Sequence, residues 1–181
     1  PPPLPTVQAF AEDGKVTLVW DTRAERSIDP VTNLNDFEGY RIYRSTDPNF
    51  LDPQVILDGR GTGPLGNGRP EAQFDLANGI TGYSNISVSG IQYYLGSDTG
   101  LTHRWTDDDV VNGQTYYYAV TSYDSGSEAF NFYPSESPIT VSRTLRGGTI
   151  LPPNVVQVRP NARVPGYVGA TASEVTQTSG T

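Results

Sequence analysis

The segment KVTLVW, Lys15 to Trp20, alternates strictly between two faces. Val16, Leu18 and Trp20 share one; Lys15, Thr17 and Val19 share the other. A period of two belongs to a half-buried strand, because successive side chains on extended backbone point to opposite sides. The rhythm returns in EGYRIYRS, Glu38 to Ser45, where Tyr40 and Ile42 oppose Arg41 and Tyr43. It returns again from Gln114 to Tyr123. No window carries a sustained apolar stripe of period 3.6, so almost no helix is expected. Turn signals separate the runs: Glu12 to Gly14, Asp29-Pro30 and Asn112-Gly113.

Other segments extend this pattern. Val7 to Phe10 reads as the hairpin partner of Lys15 to Trp20, and Asp21 to Phe37 as a loop. Ser89-Gly90 reads as the turn of a hairpin between Tyr83 to Val88 and Ile91 to Leu95. Thr102 to Thr106 is a further strand, and Ser137 to Leu145 is expected to be the last. PPPLP at Pro1 to Pro5 is a stiff, extended lead-in. From Arg146 onward Pro and small polar residues dominate, and this tail cannot bury a core of its own. Within it Val155, Val156 and Val158 form a short strand candidate between Pro153 and Pro160. Such a strand adds to a neighbouring copy through backbone hydrogen bonds, folds back on its own sandwich, or only leads to a further domain.

Composition narrows the function classes. The 181 residues are 35% hydrophobic, low for a globular chain, with 19 Gly and 15 Pro. The net charge is −8, and no basic stripe for nucleic acid is visible. There is no Cys, so neither disulfides nor thiolate chemistry enter. The absence of Met and the start at Pro1 read as a processed or excised segment. No apolar run approaches the roughly 20 residues of a membrane span.

Several short strands with turns between them suggest a β-sandwich. Three stretches resemble a fibronectin type III domain: KVTLVW, EGYRIYRS and WTDDDVVNGQTYYYAVTSYD. The family pattern of leucine, any residue, proline, glycine, two residues and tyrosine reads here from Val110 to Tyr116. Valine stands for leucine and Asn112 for proline. The resemblance implies an all-β, immunoglobulin-like sandwich over residues 1–145. A hairpin region is inserted at about 51–100, and an extended arm or linker follows over 146–181. It implies a core of Trp20, Tyr40, Ile42, Trp105, Tyr116, Tyr118 and Val120. Tyr116 would be the corner tyrosine, its hydroxyl bonded to backbone near the preceding turn. Tyr117 and Tyr123 would face outward, free to meet the insertion or another subunit. The phrasing is also similar to domains in secreted surface proteins of Bacteroidetes-like bacteria, which implies an extracellular or cell-surface location.

Candidate chemistry is sparse. The one histidine, His103, sits on a strand beside Arg104, and no serine lies in a Gly-x-Ser-x-Gly setting. The scattered carboxylates single out no glycosidase pair. No catalytic residue is assigned, and an enzyme is not expected. Asp107 and Asp109 would share a side on extended backbone and supply oxygen ligands to Ca²⁺, or else form a solvated acidic turn. GRGTGPLGNG lacks the Lys-Ser/Thr of a phosphate loop. Phe130, Phe132 and Tyr133 lie in an end loop, where they would form a glycan platform, fold back to cover the open end of the sandwich, or pack on the insertion. Asn85 to Ser87 formally matches a glycosylation acceptor.

The expectation is a structural subunit of an extracellular bacterial filament or surface assembly, with other copies of itself as partners. Its extended termini would join the copies, with Val155, Val156, Val158 and Tyr117 at the contact. A carbohydrate-binding or spacer module of a secreted multidomain protein is the alternative. A Ca²⁺-stabilised adhesin domain is a weaker one.

Overall fold

The structure is a computed structural model that describes residues 1–52 and 67–166. Among these residues eleven strands run in chain order: β1 (Val7–Glu12), β2 (Lys15–Trp20), β3 (Phe37–Ser45), β4 (Ala72–Asp75), β5 (Thr81–Val88), β6 (Ile91–Ser97), β7 (Arg104–Asp107), β8 (Tyr116–Asp124), β9 (Ser142–Arg143), β10 (Thr149–Ile150) and β11 (Val155–Val158). A single 3₁₀ turn over Arg23–Arg26 interrupts the loop after β2. Strands β1-β2-β7 make one antiparallel sheet, and β11-β8-β3-β4 make the other. The fold is an all-β sandwich.

The alternating residues build the interior. Val16, Leu18 and Trp20 of β2 meet Tyr40 and Ile42 of β3 and Tyr116, Tyr118 and Val120 of β8 in one cluster. The Trp20 ring stands edge-on to Tyr40 with centroids 5.8 Å apart. Leu18 and Ile42 are fully buried, each contributing about 1.5–3 kcal/mol of apolar burial. Trp105 packs half-buried against this cluster, edge-on to Tyr118. The Tyr116 hydroxyl accepts a hydrogen bond from the Val111 N–H at 2.9 Å, which ties β8 to the turn before it. Asp13 and Gly14 turn β1 into β2, and Val7 pairs with Trp20. Ser89 and Gly90, both at positive φ, turn β5 into β6.

The insertion is part of the architecture rather than an appendage. Its strand β4 extends the larger sheet beside β3, and its β5–β6 hairpin packs through Tyr93 and Leu95 against Tyr123 on the outer face of that sheet. Gly39 lies at the irregularity early in β3, where a Cβ would meet the Phe74 carbonyl and the Tyr123 hydroxyl. A glycine is therefore needed for β4 and β8 to close on both sides of it.

The C-terminal boundary differs from the expected one. The sandwich does not close at Leu145: β11 is its edge strand, with Val155 opposite Ala119 and Val158 opposite Tyr116. Ser137 starts along β8, exchanging hydrogen bonds with Ser122. Pro138 has no N–H with which to continue a ladder, so the chain leaves the sheet there. It returns at Asn154, whose carbonyl accepts from the Val120 N–H at 2.9 Å. Ser137 to Leu145 is thus not the last strand, and only Ser142–Arg143 of it is extended, in the small β9–β10 hairpin. The N-terminal lead-in is held by its own chain too. Pro2 and Pro5 are buried, and the Ser122 hydroxyl donates to the Pro3 carbonyl at 2.9 Å.

Candidate functional site

Two regions outside the apolar interior concentrate chemistry: the outer face of the larger sheet, and the end where β3 begins and β8 finishes. Strand alternation puts Arg41 and Tyr43 of β3 and Thr121 and Tyr123 of β8 on the outer face. The loop after β8 brings Glu136 down onto them. Its Oε1 accepts from Tyr43 Oη (2.6 Å), Thr121 Oγ1 (2.6 Å) and Asn67 Nδ2 (3.1 Å). Its Oε2 accepts from Tyr93 Oη (2.9 Å) and Arg41 Nη1 (3.3 Å). The Arg41 and Glu136 side chains are only 6% and 3% exposed. The Arg41 guanidinium lies 4.1 Å from the Tyr93 ring centroid and donates to the Tyr94 carbonyl at 2.7 Å. Burial, then the Glu136 charge, holds the Tyr43 and Tyr93 hydroxyls well above their ordinary range, so both remain protonated donors. The carboxylate is saturated with donors, and the cluster fastens the β5–β6 hairpin and the loop after β8 to the sheet.

The structure places Asp107 and Asp109 around Arg44, with the Asp109 N–H donating to Asp107 Oδ1 at 3.0 Å. Asp107 is 4% exposed, and its Oδ2 accepts from Arg44 Nη1 (2.9 Å) and Tyr118 Oη (2.8 Å). Arg44 also reaches Asp109 at 3.8 Å. A guanidinium thus stands where a cation bound by the two aspartates would lie. Among the described residues no group of three or more His, Asp or Glu side chains is arranged to hold a metal ion.

His103 lies just before β7 rather than on it, and it is partnered. Its Nε2 lies 2.5 Å from Glu25 Oε1, which also accepts from Tyr40 Oη at 3.0 Å. Its ring lies 6.5 Å from the Trp20 ring and 6.0 Å from the Tyr40 ring, so the group seals one end of the core. Asn85 is exposed on β5 and donates to Glu128 at 2.5 Å. The glycine-rich run lies mostly outside the described residues, as does the chain after Gly166.

The remaining candidates divide. Val155 is buried, Val156 and Val158 are half-buried, and all three sit in the ladder with β8. They are not an unpaired arm, because β8 already takes up their backbone. Tyr117 is half-buried on the outer face between Ser45 and Gln157. Tyr123 is covered by the insertion, with its hydroxyl donating to the Leu95 carbonyl at 2.5 Å. Tyr133 folds back edge-on to Tyr93 with centroids 6.2 Å apart. Phe130 and Phe132 stay exposed and stack on each other at 6.0 Å, within 19° of parallel.

Two features escaped the sequence reading. One is the β9–β10 hairpin, a tongue exposed along its whole length from Ser142 to Ile150. The other is a groove of about 240 Å³ beside Phe132, lined by Asp29, Val31, Asp36 and Asp124. Burial, then the Asp124 charge, raises the Asp36 carboxyl above the usual range. The signal for the tongue was the turn chemistry of Thr144 to Gly148; nothing local announces the groove.

No family model, no curated protein and no solved structure matches this chain.

Proposed function

We propose that the protein is a structural rather than enzymatic unit: a fibronectin type III-like subunit of an extracellular assembly built from copies of itself. The strand order β1-β2-β7 over β11-β8-β3-β4 and the Tyr116–Val111 corner support the immunoglobulin-like reading. The tongue is the observation that carries the assembly reading. It leaves the sheet edge between Pro138 and Asn154, and it sets an apolar side chain, Leu145, wholly in solvent. A short two-stranded hairpin alone is at best marginally stable in water, so a partner surface is what would hold it. The joining element is therefore the tongue and not Val155 to Val158, which the subunit uses for its own sheet. Replacing Ser142–Ile150 by an Asn-Gly turn should leave a folded monomer and remove the fast-sedimenting species in analytical ultracentrifugation. Assembly that survives this replacement would sink the reading.

A second reading, a glycan-binding module, draws on the parallel, exposed Phe130 and Phe132 rings. The same replacement separates the two, since a glycan module is monomeric with or without its tongue.

A further inference from the structure

The tongue and the groove are complementary. The tongue's turn is closed by Thr144 N–H to the Gly148 carbonyl (2.8 Å), by Gly147 N–H to the Thr144 carbonyl (2.9 Å) and by Gly148 N–H to the Thr144 hydroxyl (2.8 Å). These bonds stand Leu145 and Arg146 at its tip. From Ser137 to Gly166 the chain carries Arg143, Arg146, Arg159 and Arg163 and no carboxylate, although its net charge is −8. A basic segment with an apolar tip thus projects from an acidic molecule.

The groove has the opposite character. Three carboxylates, Asp29, Asp36 and Asp124, line it, and Val31 and Phe132 present apolar surface at 67% and 40% exposure. Its volume of about 240 Å³ falls below the roughly 300–1,000 Å³ of small-molecule pockets. That size suits one inserted side chain better than a free ligand.

Resting on the assembly reading above, we propose that the Leu145 tip of one copy inserts into this groove of a second copy. Arg143 and Arg146 then lie beside Asp29 and Asp36. Donor and acceptor are different patches of one chain, so the contact is head-to-tail and repeats into an open filament or a ring. Long-range repulsion between copies of like net charge is screened beyond about 8 Å at physiological salt, leaving local complementarity to decide.

The chain has no Cys, so cross-linking has no background. Leu145→Cys and Val31→Cys are made as separate proteins, mixed at high concentration and oxidised. Both positions are exposed, so folding is not at stake. The expected product is a mixed Leu145→Cys/Val31→Cys dimer in several-fold excess over either homodimer, with the excess lost in 1 M NaCl. The double variant should give a ladder. Mixed dimers at or below their statistical share, while the unmodified protein still sediments as an assembly, would overturn the docking and leave the assembly reading standing. A predominance of Leu145→Cys homodimers would point to tip-to-tip pairing and overturn it as well. An unmodified protein that stays monomeric at every concentration would remove both.

Discussion

Two hairpins stand outside the sandwich, and they meet opposite fates. The β5–β6 hairpin is docked: Ile91, Tyr93 and Leu95 are buried, and Arg41, Gln73 and Glu136 hold it to the sheet. The β9–β10 tongue is exposed on every residue. Length does not separate their roles, since a two-stranded ribbon of either length is marginal alone. What separates them is a partner face. The first hairpin has one within its own chain, and the second has none among the described residues.

The comparison breaks most sharply at Glu136. Glu136→Ala leaves Arg41 and two tyrosine hydroxyls buried without their acceptor. Removing one partner of a buried ion pair costs about 3–5 kcal/mol. Urea denaturation should show a loss of that order, and hydrogen exchange in β6 should approach that of β10. Unchanged exchange in β6 would mean that apolar contacts, not the carboxylate, dock the hairpin.

Glu38 sharpens the comparison through pH. It is 1% exposed at the start of β3, with Oε2 accepting from Asn78 Nδ2 at 3.0 Å just before β5 and with Oε1 unpaired. Burial pushes its carboxyl from 4.5 up to about 7. The folded protein therefore keeps a proton that the unfolded chain gives up. The contribution is fully present below pH 4.5 and is lost as pH rises through 7. Glu38→Gln should match the parent at pH 4 and exceed it at pH 8 by about 1–3 kcal/mol. Parallel stability–pH curves for the two proteins would exclude Glu38 as the source of the slope.

The smallest effect is expected at the tongue. Leu145 is fully exposed, so Leu145→Ala should change unfolding free energy by less than about 0.5 kcal/mol. A larger loss, measured in dilute monomer, would show that the tongue packs on its own subunit after all.

Legibility in the sequence followed the same division. Strict alternation exposed β2, β3 and β8, and Ser89-Gly90 exposed the β5–β6 turn, because period and turn chemistry are local. Arg41 and Glu136 are 95 residues apart, and no pattern in a polar loop marks the one glutamate that will be buried. The choice at Asp107 and Asp109 between Ca²⁺ and an acidic turn stayed open in the sequence because Arg44, the guanidinium between them, lies on another strand. Val155 to Val158 were recognisable as a strand, but backbone pairing is anonymous. Side chains gave no sign that Pro138 would release the edge of β8 and leave room for a later segment.

That vacated edge has a consequence for timing. The Val7 N–H donates to the Pro153 carbonyl, so β1 meets a segment made long after it. Until Val158 has emerged from the ribosome, β8 lacks the partner that covers half of its edge. The sandwich cannot close until Val158 has been made, and a chain stalled at the tongue offers an open sheet edge to any neighbour.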